Sequence, residues 1–512
     1  MLTTFLHVLI ALLVMLQIGV QPIVAYALDT SEYQSATYGP PTRYCDLTLS
    51  IAAPSGSGTL GDPWNATRCM SQPVAGDVVG IKSGVSVLLT GPSNRTGAAF
   101  TPANSGTAGS RIVYVCQHPA ISLDYATIDS NANRCELRHN GAESIGATPG
   151  SNSGAIIGAN GKNYITFAGW YVNMANAHIR DDSGVFNCWS TSDIHFRDFV
   201  VKGRITDMDS NVVVYRPEGC TRTIVSNFRV SGFSNEPVSG SLNQQGLFSD
   251  QYGDEDFLIE KFLIEFPTTT KVPGGIYLKG SAVSNTMYNY GTVRYGIIKN
   301  TGACLQFNAL HATNVSEYHH IICETQRQDS AVYFSAETIN VRNLTLHHLT
   351  VAKGDSTSLN YQGCMSTKSS SSFGIGSAVN IRDSICDSDA GSNGFEFYTH
   401  NGSPNQLDYI GHYKGASAKH WYNGTQYDTL GAWQGATVFE DNSQVVTTSP
   451  FVDRANGNYN LTTNHPWKTA SSTGGELGAM EGSQDPGPDT TPIGSTQAWT
   501  GPIRASGGFR IQ

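Results

Sequence analysis

The feature that most constrains the fold is a short hydrophobic pattern that recurs through the middle of the chain. It reads apolar-x-apolar-x-x-apolar-x-apolar and returns at intervals of about 30 residues, a unit length typical of repeat architectures. Clear copies lie at 165–172, 194–201, 344–351 and 379–386. A unit this short cannot bury its own apolar face, so the pattern predicts units that stack into one continuous core.

A second short strand precedes each copy of the pattern. These segments read GAIIGA, GVFNCW, NVVVYR, QGLFSD, GGIYLKG, CLQFNA, AVYFSA, LNYQGC and GFEFYT. We therefore predict an all-β fold, a right-handed parallel β-helix with one coil per unit and about 10–12 coils. A β-propeller is disfavoured because its blades are longer and joined by hairpins, and a β-sandwich would show no fixed period.

Composition supports strands and turns over helices. Of the 512 residues, 54 are glycine and only 14 % are charged. Glycine tolerates the positive φ angles of tight turns, and β-branched residues suit a pleated sheet. The net charge of −10 and the lack of a Lys/Arg cluster argue against a nucleic-acid partner. An anionic substrate would need a local basic patch or a bridging cation.

The first residues predict export. The segment 5–20 is almost wholly apolar, and Ala25-Tyr26-Ala27 fits a signal-peptidase site, although no Lys or Arg precedes Arg43. A membrane anchor is the alternative, but the run is short and contains His7 and Gln17. We expect a signal peptide at 1–27, a β-helix domain with its N-terminal cap at 28–482, and a disordered Pro/Gly-rich tail at 483–512. The mature chain is expected to be extracellular, with no membrane span.

The ten cysteines agree with an oxidising compartment. If consecutive cysteines pair, five disulfides brace neighbouring coils. These would be Cys45–Cys69, Cys116–Cys135, Cys188–Cys220, Cys304–Cys323 and Cys364–Cys386. No CxxC pair occurs, so a zinc site is not expected.

The flanks of the repeat resemble a known group of folds. SIAAPSGSGTLGDPWNATRCMSQPVAGDVVGIKSGV, residues 50–85, resembles the opening of secreted β-helix proteins of the pectin-lyase-like superfamily. Those proteins place a short helix after the Pro-Trp and a first strand after a P-x-x-G-D-x-V segment. SPFVDRANGNYNLTTNHPW, residues 449–467, is similar to the segment that closes many such helices. The resemblance implies the fold; the residue signatures of polygalacturonases and of the main pectate lyase family are missing.

Alignment of the short strands predicts a functional face. With Gly275 set against Gly246, outward residues of successive coils would stack about 4.8 Å apart. Flat rings on this face would stack on sugar rings, and amides would bind hydroxyl groups. The expected substrate-binding residues are Phe248, Tyr277, Gln306, Asn308 and Tyr333.

Many members of the superfamily are polysaccharide lyases, which remove the C5 proton of a uronic acid and expel the C4 oxygen. By this resemblance Lys279 is the candidate base, Arg216 the candidate clamp for the substrate carboxylate, and Asp250 their neighbour. Asp207 and Asp209 could contribute to a Ca²⁺ site. We expect a monomer acting on a polysaccharide.

Two alternative functions remain open at the level of sequence. The chain could be a glycoside hydrolase that uses a carboxylate pair including Asp250. It could also be a non-catalytic carbohydrate-binding or surface protein, in which Lys279 and Asp250 form only a surface ion pair. Adjacent histidines at 319–320 and 347–348 lie in a second polar ladder, for which a stacked polar edge is favoured over a metal site.

Overall fold

The computed structural model describes the following residues: 41–51, 56–89, 98–116, 134–139, 144–145, 155–174, 178–179, 183–203, 212–231, 248–250, 254–266, 274–278, 289–301, 303–307, 314–325, 331–334, 341, 343–353, 364–367, 375–376, 378–387, 397–399, 403–413, 420–422, 424–456 and 458–480.

One sheet is built almost entirely from short strands, one for each coil. We call it the short-strand sheet. Every neighbouring pair in it is parallel except the last, which is an antiparallel hairpin. Its strands are Ala98–Phe100, Ala155–Asn160, Ser183–Trp189, Val212–Glu218, Phe248–Asp250, Ile276–Leu278, Leu305–Phe307, Val332–Phe334, Met365–Thr367, Phe397–Thr399, His420–Tyr422 and Thr425–Tyr427.

The second sheet has 17 strands and carries the recurrent pattern. We call it the long-strand sheet. All its pairings are parallel, so the predicted parallel β-helix is confirmed. Its strands are Arg43–Cys45, Val78–Ile81, Val85–Leu89, Ile112–Cys116, Cys135–His139, Ile165–Ala168, Trp170–Asn173, Ile194–Lys202, Cys220–Thr221, Ile224–Ser231, Asp254–Glu265, Tyr290–Thr301, Ser316–Thr325, Leu344–Lys353, Val379–Asp387, Gln406–Tyr413 and Gln444–Val446.

The long strands bend at the two central residues of the pattern. One residue of each bend has a positive φ angle, close to the left-handed helical region that turns the chain sharply. Each long strand therefore supplies two walls of its coil, and the short strand supplies the third. The residues with this backbone are Asp198, Asn227, Lys261, Tyr295, His320, His348, Asp383 and Tyr409.

Inward residues stack on their equivalents in the next coil, as the pattern requires. Phe199 pairs with Phe228 and Phe228 with Phe262 in the strand register. Their rings stack with centroids 4.9 and 5.4 Å apart. Such offset aromatic pairs add to the free energy gained from burial alone.

Disulfides form at four of the five predicted positions. The bridges are Cys45–Cys69, Cys116–Cys135, Cys188–Cys220 and Cys364–Cys386. Cys304 and Cys323 are buried thiols that interact with each other, and burial raises the pKa of Cys323. The sequence pairing therefore identified the right partners, and the fifth bridge is not formed in this structure.

Both ends of the solenoid carry a short helix. The N-terminal helix, Ala66–Ser71, follows Pro63-Trp64 as the resemblance predicts, and Asn65 caps it by accepting a hydrogen bond from the Arg68 N–H. At the other end, helix Leu430–Ala436 buries Trp433 against the last coil. Among the described residues, no helix is long and apolar enough to span a membrane.

The segment predicted to close the β-helix instead covers one side of it. It contains the antiparallel strands Phe451–Asp453 and Asn458–Leu461 and the 3-10 helices Arg454–Asn456 and Pro466–Thr469. Trp467 packs with Ile322 and Ile385 on the outward face of the long-strand sheet. Gly411 makes this approach possible, because a Cβ atom there would lie 2.7 Å from Trp467 Cε2.

A two-stranded parallel sheet, Ser144–Ile145 with His178–Ile179, completes the strands. The predicted signal peptide at 1–27 and the predicted tail at 483–512 both lie outside the described residues.

Candidate functional site

Three of the predicted ligand-binding residues occupy one outward line of the short-strand sheet. Tyr277 pairs with Gln306, and Gln306 pairs with Tyr333. Their neighbours Ile276 and Leu278 belong to the hydrophobic core, as the alternation of a strand requires. The predicted stacking of Tyr277, Gln306 and Tyr333 is confirmed. We call this line and its continuation the outer rung.

The predicted alignment of Phe248 with Tyr277 is wrong by one residue. Phe248 pairs with Ile276, and Asp250 pairs with Leu278 rather than with the residue after it. The cause is the assumption that Gly246 is equivalent to Gly275. A Cβ at Gly275 would lie 2.5 Å from the Cys304 carbonyl oxygen, so a side chain does not fit at this position. The glycine is therefore explained by local crowding and is no guide to the register of the preceding strand.

Not every predicted site residue falls within the part of the chain that is described. Lys279, Asn308, Asp207 and Asp209 lie outside it, and for the strand Phe248–Asp250 only the backbone is described. Lys279 directly follows Leu278, the last residue of its strand.

Arg216 lies on the same outward line, one coil before Ser249. It pairs with Asn187 in the preceding strand, and Tyr215 beside it pairs with Phe248. Its guanidinium Nε lies 2.9 Å from Glu218 Oε1, and the two side chains are only 3 % and 4 % exposed. Removing either partner of this buried pair would leave the charge of the other without compensation, which is strongly unfavourable.

The outer rung is more enclosed than the sequence suggested. Asn187, Arg216, Tyr277, Gln306 and Ser366 are buried, although they point away from the core. Tyr333 is half-buried.

The register carries the outer rung three strands beyond Tyr333, which pairs with Ser366. Ser366 pairs with Tyr398, and Tyr398 pairs with the half-buried Trp421. Sequence reasoning missed these two aromatic residues. The segments GFEFYT and HWY alternate in the required phase, and extending the alignment by three strands would have identified them.

A buried carboxyl group lies behind the Arg216 strand. Asp254 Oδ2 accepts hydrogen bonds from Tyr215 Oη at 3.2 Å and from Thr223 Oγ1 at 2.9 Å. Burial raises the pKa of Asp254 to about 8, so its neutral form predominates at pH 7. Since Asp254 is 1 % exposed, its role is to connect two coils through the core rather than to meet a substrate.

The second ladder lies at the bend of the long strands, and we call it the bend ladder. Its charges pair between coils: Arg294 Nη2 lies 2.7 Å from Glu260 Oε2, and Asn227 Nδ2 donates to Asp198 Oδ1 at 2.7 Å. This is the stacked polar edge favoured from the sequence.

Four histidines continue the bend ladder. His319 stacks on His347 and His320 on His348, each with centroids 4.9 Å apart. Burial lowers the pKa of His319 to about 2, of His320 to about 4 and of His348 to about 3. The rings of His319, His320 and His348 are therefore neutral at physiological pH.

Metal-ligating side chains converge elsewhere. Within the described residues, one group of three His, Cys, Asp or Glu residues brings its ligand atoms within 4.8 Å of one another: His412, His420 and Glu440. It lies at the C-terminal end of the β-helix, and nothing in the sequence spacing pointed to it.

Comparison of this chain with known proteins finds similarity to solved structures, but not to a protein-family model or a curated protein. No protein-family model matches the chain, and no curated protein matches it. A pectate lyase, Pel9A, is 11 % identical over 88 % of this chain and 99 % of its own, with a TM-score of 0.49. An alginate lyase from Paenibacillus sp. str. FPU-7 is 13 % identical over 61 % of this chain and 98 % of its own, with a TM-score of 0.30. Likeness at this level does not extend to activity or residues.

Proposed function

We propose that this protein is a polysaccharide lyase that cleaves a uronic-acid-containing glycan by β-elimination along the outer rung. The proposal rests on one observation: strand register brings Arg216, Tyr277, Gln306 and Tyr333 onto one outward line of the short-strand sheet. A line of this kind suits an extended, repetitive ligand, because successive coils present a group about every 4.8 Å.

The residues of the proposed site divide into those that carry out the reaction and those that bind the sugar chain. Lys279 is the base that removes the C5 proton as the bond from C4 to its oxygen breaks, and Arg216 exchanges Glu218 for the substrate carboxylate so that the developing carbanion is stabilised. Glu218 is the charge partner of Arg216 before the substrate binds. Tyr277 and Tyr333 face sugar rings, with Gln306 between them binding hydroxyl groups.

The corrected register favours a lysine base. A neighbouring carboxylate stabilises the charged ammonium form and raises the pKa of a lysine, whereas a base must lose its proton near neutral pH. Asp250 pairs with Leu278 instead of the following residue. Because Leu278 is a core residue, this register gives Asp250 no role in the proposed mechanism.

Calcium would serve this site as a bridge between the substrate carboxylate and protein carboxylates. Asp207 and Asp209 are the residues that we propose for it, since both precede the Arg216 strand in sequence.

The test is incubation of the purified protein with pectate, alginate and glycosaminoglycans, with and without Ca²⁺. Ultraviolet absorbance of the unsaturated product identifies β-elimination. New reducing ends without that chromophore would indicate a hydrolase instead, and glycan binding without any product would indicate a non-catalytic carbohydrate-binding protein.

A further inference from the structure

A polar cluster closes the hydrophobic core at the C-terminal end of the β-helix. His412 belongs to the long strand Gln406–Tyr413, and His420 opens the last parallel short strand. Glu440 follows the helix that caps the end. All three side chains are buried, with exposures of 1 %, 0 % and 1 %.

Strand register places both histidines at inward positions. His412 pairs with Cys386, and His420 pairs with Phe397, two residues of the hydrophobic core. In earlier coils these positions hold apolar side chains that stack on one another. Two imidazoles that face each other across the last coil are a departure from the repeat, and burying them is unfavourable unless their nitrogens have partners.

Glu440 is held at the cluster by its backbone. Its N–H donates to the Leu407 carbonyl at 2.6 Å, and its carbonyl accepts from the Ser443 N–H at 2.9 Å and from Gln434 Nε2 at 2.5 Å. Its φ angle is +59°, an unfavourable value for a residue with a side chain. This backbone conformation directs the Glu440 carboxylate into the core, and strain of this kind is typical of functional sites.

The contacts among the three side chains match the edges of a metal coordination shell. His412 Nε2 lies 3.2 and 3.3 Å from the two Glu440 oxygens, almost equally close to both. His420 Nε2 lies 2.9 Å from Glu440 Oε2, yet it does not meet the geometry of a hydrogen bond. Tetrahedral zinc with bonds of about 2.0 Å separates neighbouring ligand atoms by about 3.3 Å.

The surroundings favour a structural rather than a catalytic ion. The Trp433 ring stacks on His420 at 4.9 Å, and Phe439 packs against Trp433. This apolar shell excludes a glycan from the cluster.

We infer that His412, His420 and Glu440 form a structural site for a divalent transition metal of the zinc type, which locks the C-terminal cap onto the last coil. Two imidazoles and one carboxylate are a ligand set that zinc prefers, with water as the fourth ligand. The ion would tie the long-strand sheet, the short-strand sheet and the cap to one point. Terminal units of a solenoid need such protection because they lack a neighbour on one side.

The test uses the full chain, stripped with chelator, reloaded with Zn²⁺ and passed through a desalting column. We expect about one zinc per chain by elemental analysis, and an increase in Tm of at least about 3 °C on reloading. Glu440→Gln and His420→Gln should each lose the bound zinc. Glu317→Gln is the matched control, because Glu317 Oε1 also lies 2.9 Å from a histidine, His347 Nε2, but belongs to no group of three such ligands among the described residues; it should retain the zinc.

Two further outcomes decide the inference. Absence of stoichiometric zinc in the folded wild-type chain, or retention of zinc by folded Glu440→Gln and His420→Gln, would overturn it. If those variants do not fold, X-ray absorption at the zinc edge of the wild-type protein decides. An absorption spectrum that shows scattering from two imidazoles around the zinc would support the site, and a zinc coordination shell without imidazole would contradict it.

Discussion

The outer rung and the bend ladder both arise from the stacking of equivalent residues in successive coils, but they differ in the types of residue that they contain. In both, one or two residues from each coil stack on their equivalents in the next. In the bend ladder, the charged residues of adjacent coils pair with each other, as Arg294 does with Glu260. The described part of the outer rung consists mainly of rings and amides, and its charge pair, Arg216 with Glu218, lies within a single strand.

This difference separates a structural ladder from a candidate site. Charges that pair from coil to coil hold neighbouring coils together and leave little capacity for a ligand. Rings and amides in register instead present a repeated surface that matches a repeated polymer. Substitutions of the rings and amides of the outer rung should therefore change activity, whereas substitutions in the bend ladder, or in the buried pair of Arg216 with Glu218, should change stability.

The largest expected effect is loss of activity on removal of the proposed base. Lys279→Ala should lower kcat by at least about 100-fold, because general base catalysis contributes that much or more. The control is Lys299→Ala, at a partly exposed lysine of the long-strand sheet, which should leave kcat unchanged. Equal rates for Lys279→Ala and wild type would remove Lys279 from the mechanism.

Breaking the buried pair of the outer rung should have the largest effect on stability. Arg216→Met leaves Glu218 buried without its cation and should lower the free energy of unfolding by about 3–5 kcal/mol. Arg229→Met is the control, because its pair with Glu265 is longer, 3.3 Å, and more exposed, so the cost should stay below about 1 kcal/mol. Urea denaturation measures both, and equal losses would contradict the distinction.

The histidines of the bend ladder should make stability depend on pH. Burial lowers the pKa of His320 from 6.5 to about 4, so between these values the unfolded chain binds more protons than the folded one. Stability is fully present above pH 6.5 and falls as the pH drops towards 4, by up to about 1.4 kcal/mol per pH unit for each such histidine. His320→Gln should flatten the dependence of unfolding free energy on pH; a slope identical to wild type would show that His320 does not contribute.

The smallest effect is expected at Tyr333, a half-buried ring of the outer rung. Tyr333→Ala should weaken glycan binding by about 1 kcal/mol, or about fivefold, through loss of one ring contact. Tyr295→Ala in the bend ladder removes a ring that contacts His319 and His320, and it should leave glycan affinity unchanged. Titration calorimetry with oligosaccharides compares the two, and a larger loss for Tyr295→Ala would reverse the assignment of the two ladders.

The sequence predicted the fold because the repeat is dictated by packing. A residue such as Leu305 or Val332 must face the core in every coil, so its neighbours Gln306 and Tyr333 must face outward. The register failed at Phe248, where both alternating sets of residues look acceptable and the glycine used as a marker had a different local cause.

The C-terminal cluster escaped prediction for a different reason. His412, His420 and Glu440 come from two sheets and a cap, so no fixed spacing relates them. A signal was nevertheless present: His412 occupies the last apolar position of the repeated pattern, where the preceding coil has Cys386. A polar residue at an invariably apolar position of a repeat indicates a special role at that coil.

The most direct test of the central claim is the mass of the product released from the best acidic glycan. β-Elimination yields an oligosaccharide with an unsaturated uronic acid at its non-reducing end and adds no water. The account predicts this product from wild type, and none from Lys279→Ala. A product heavier by one water molecule, or a full yield of unsaturated product from Lys279→Ala, would contradict it.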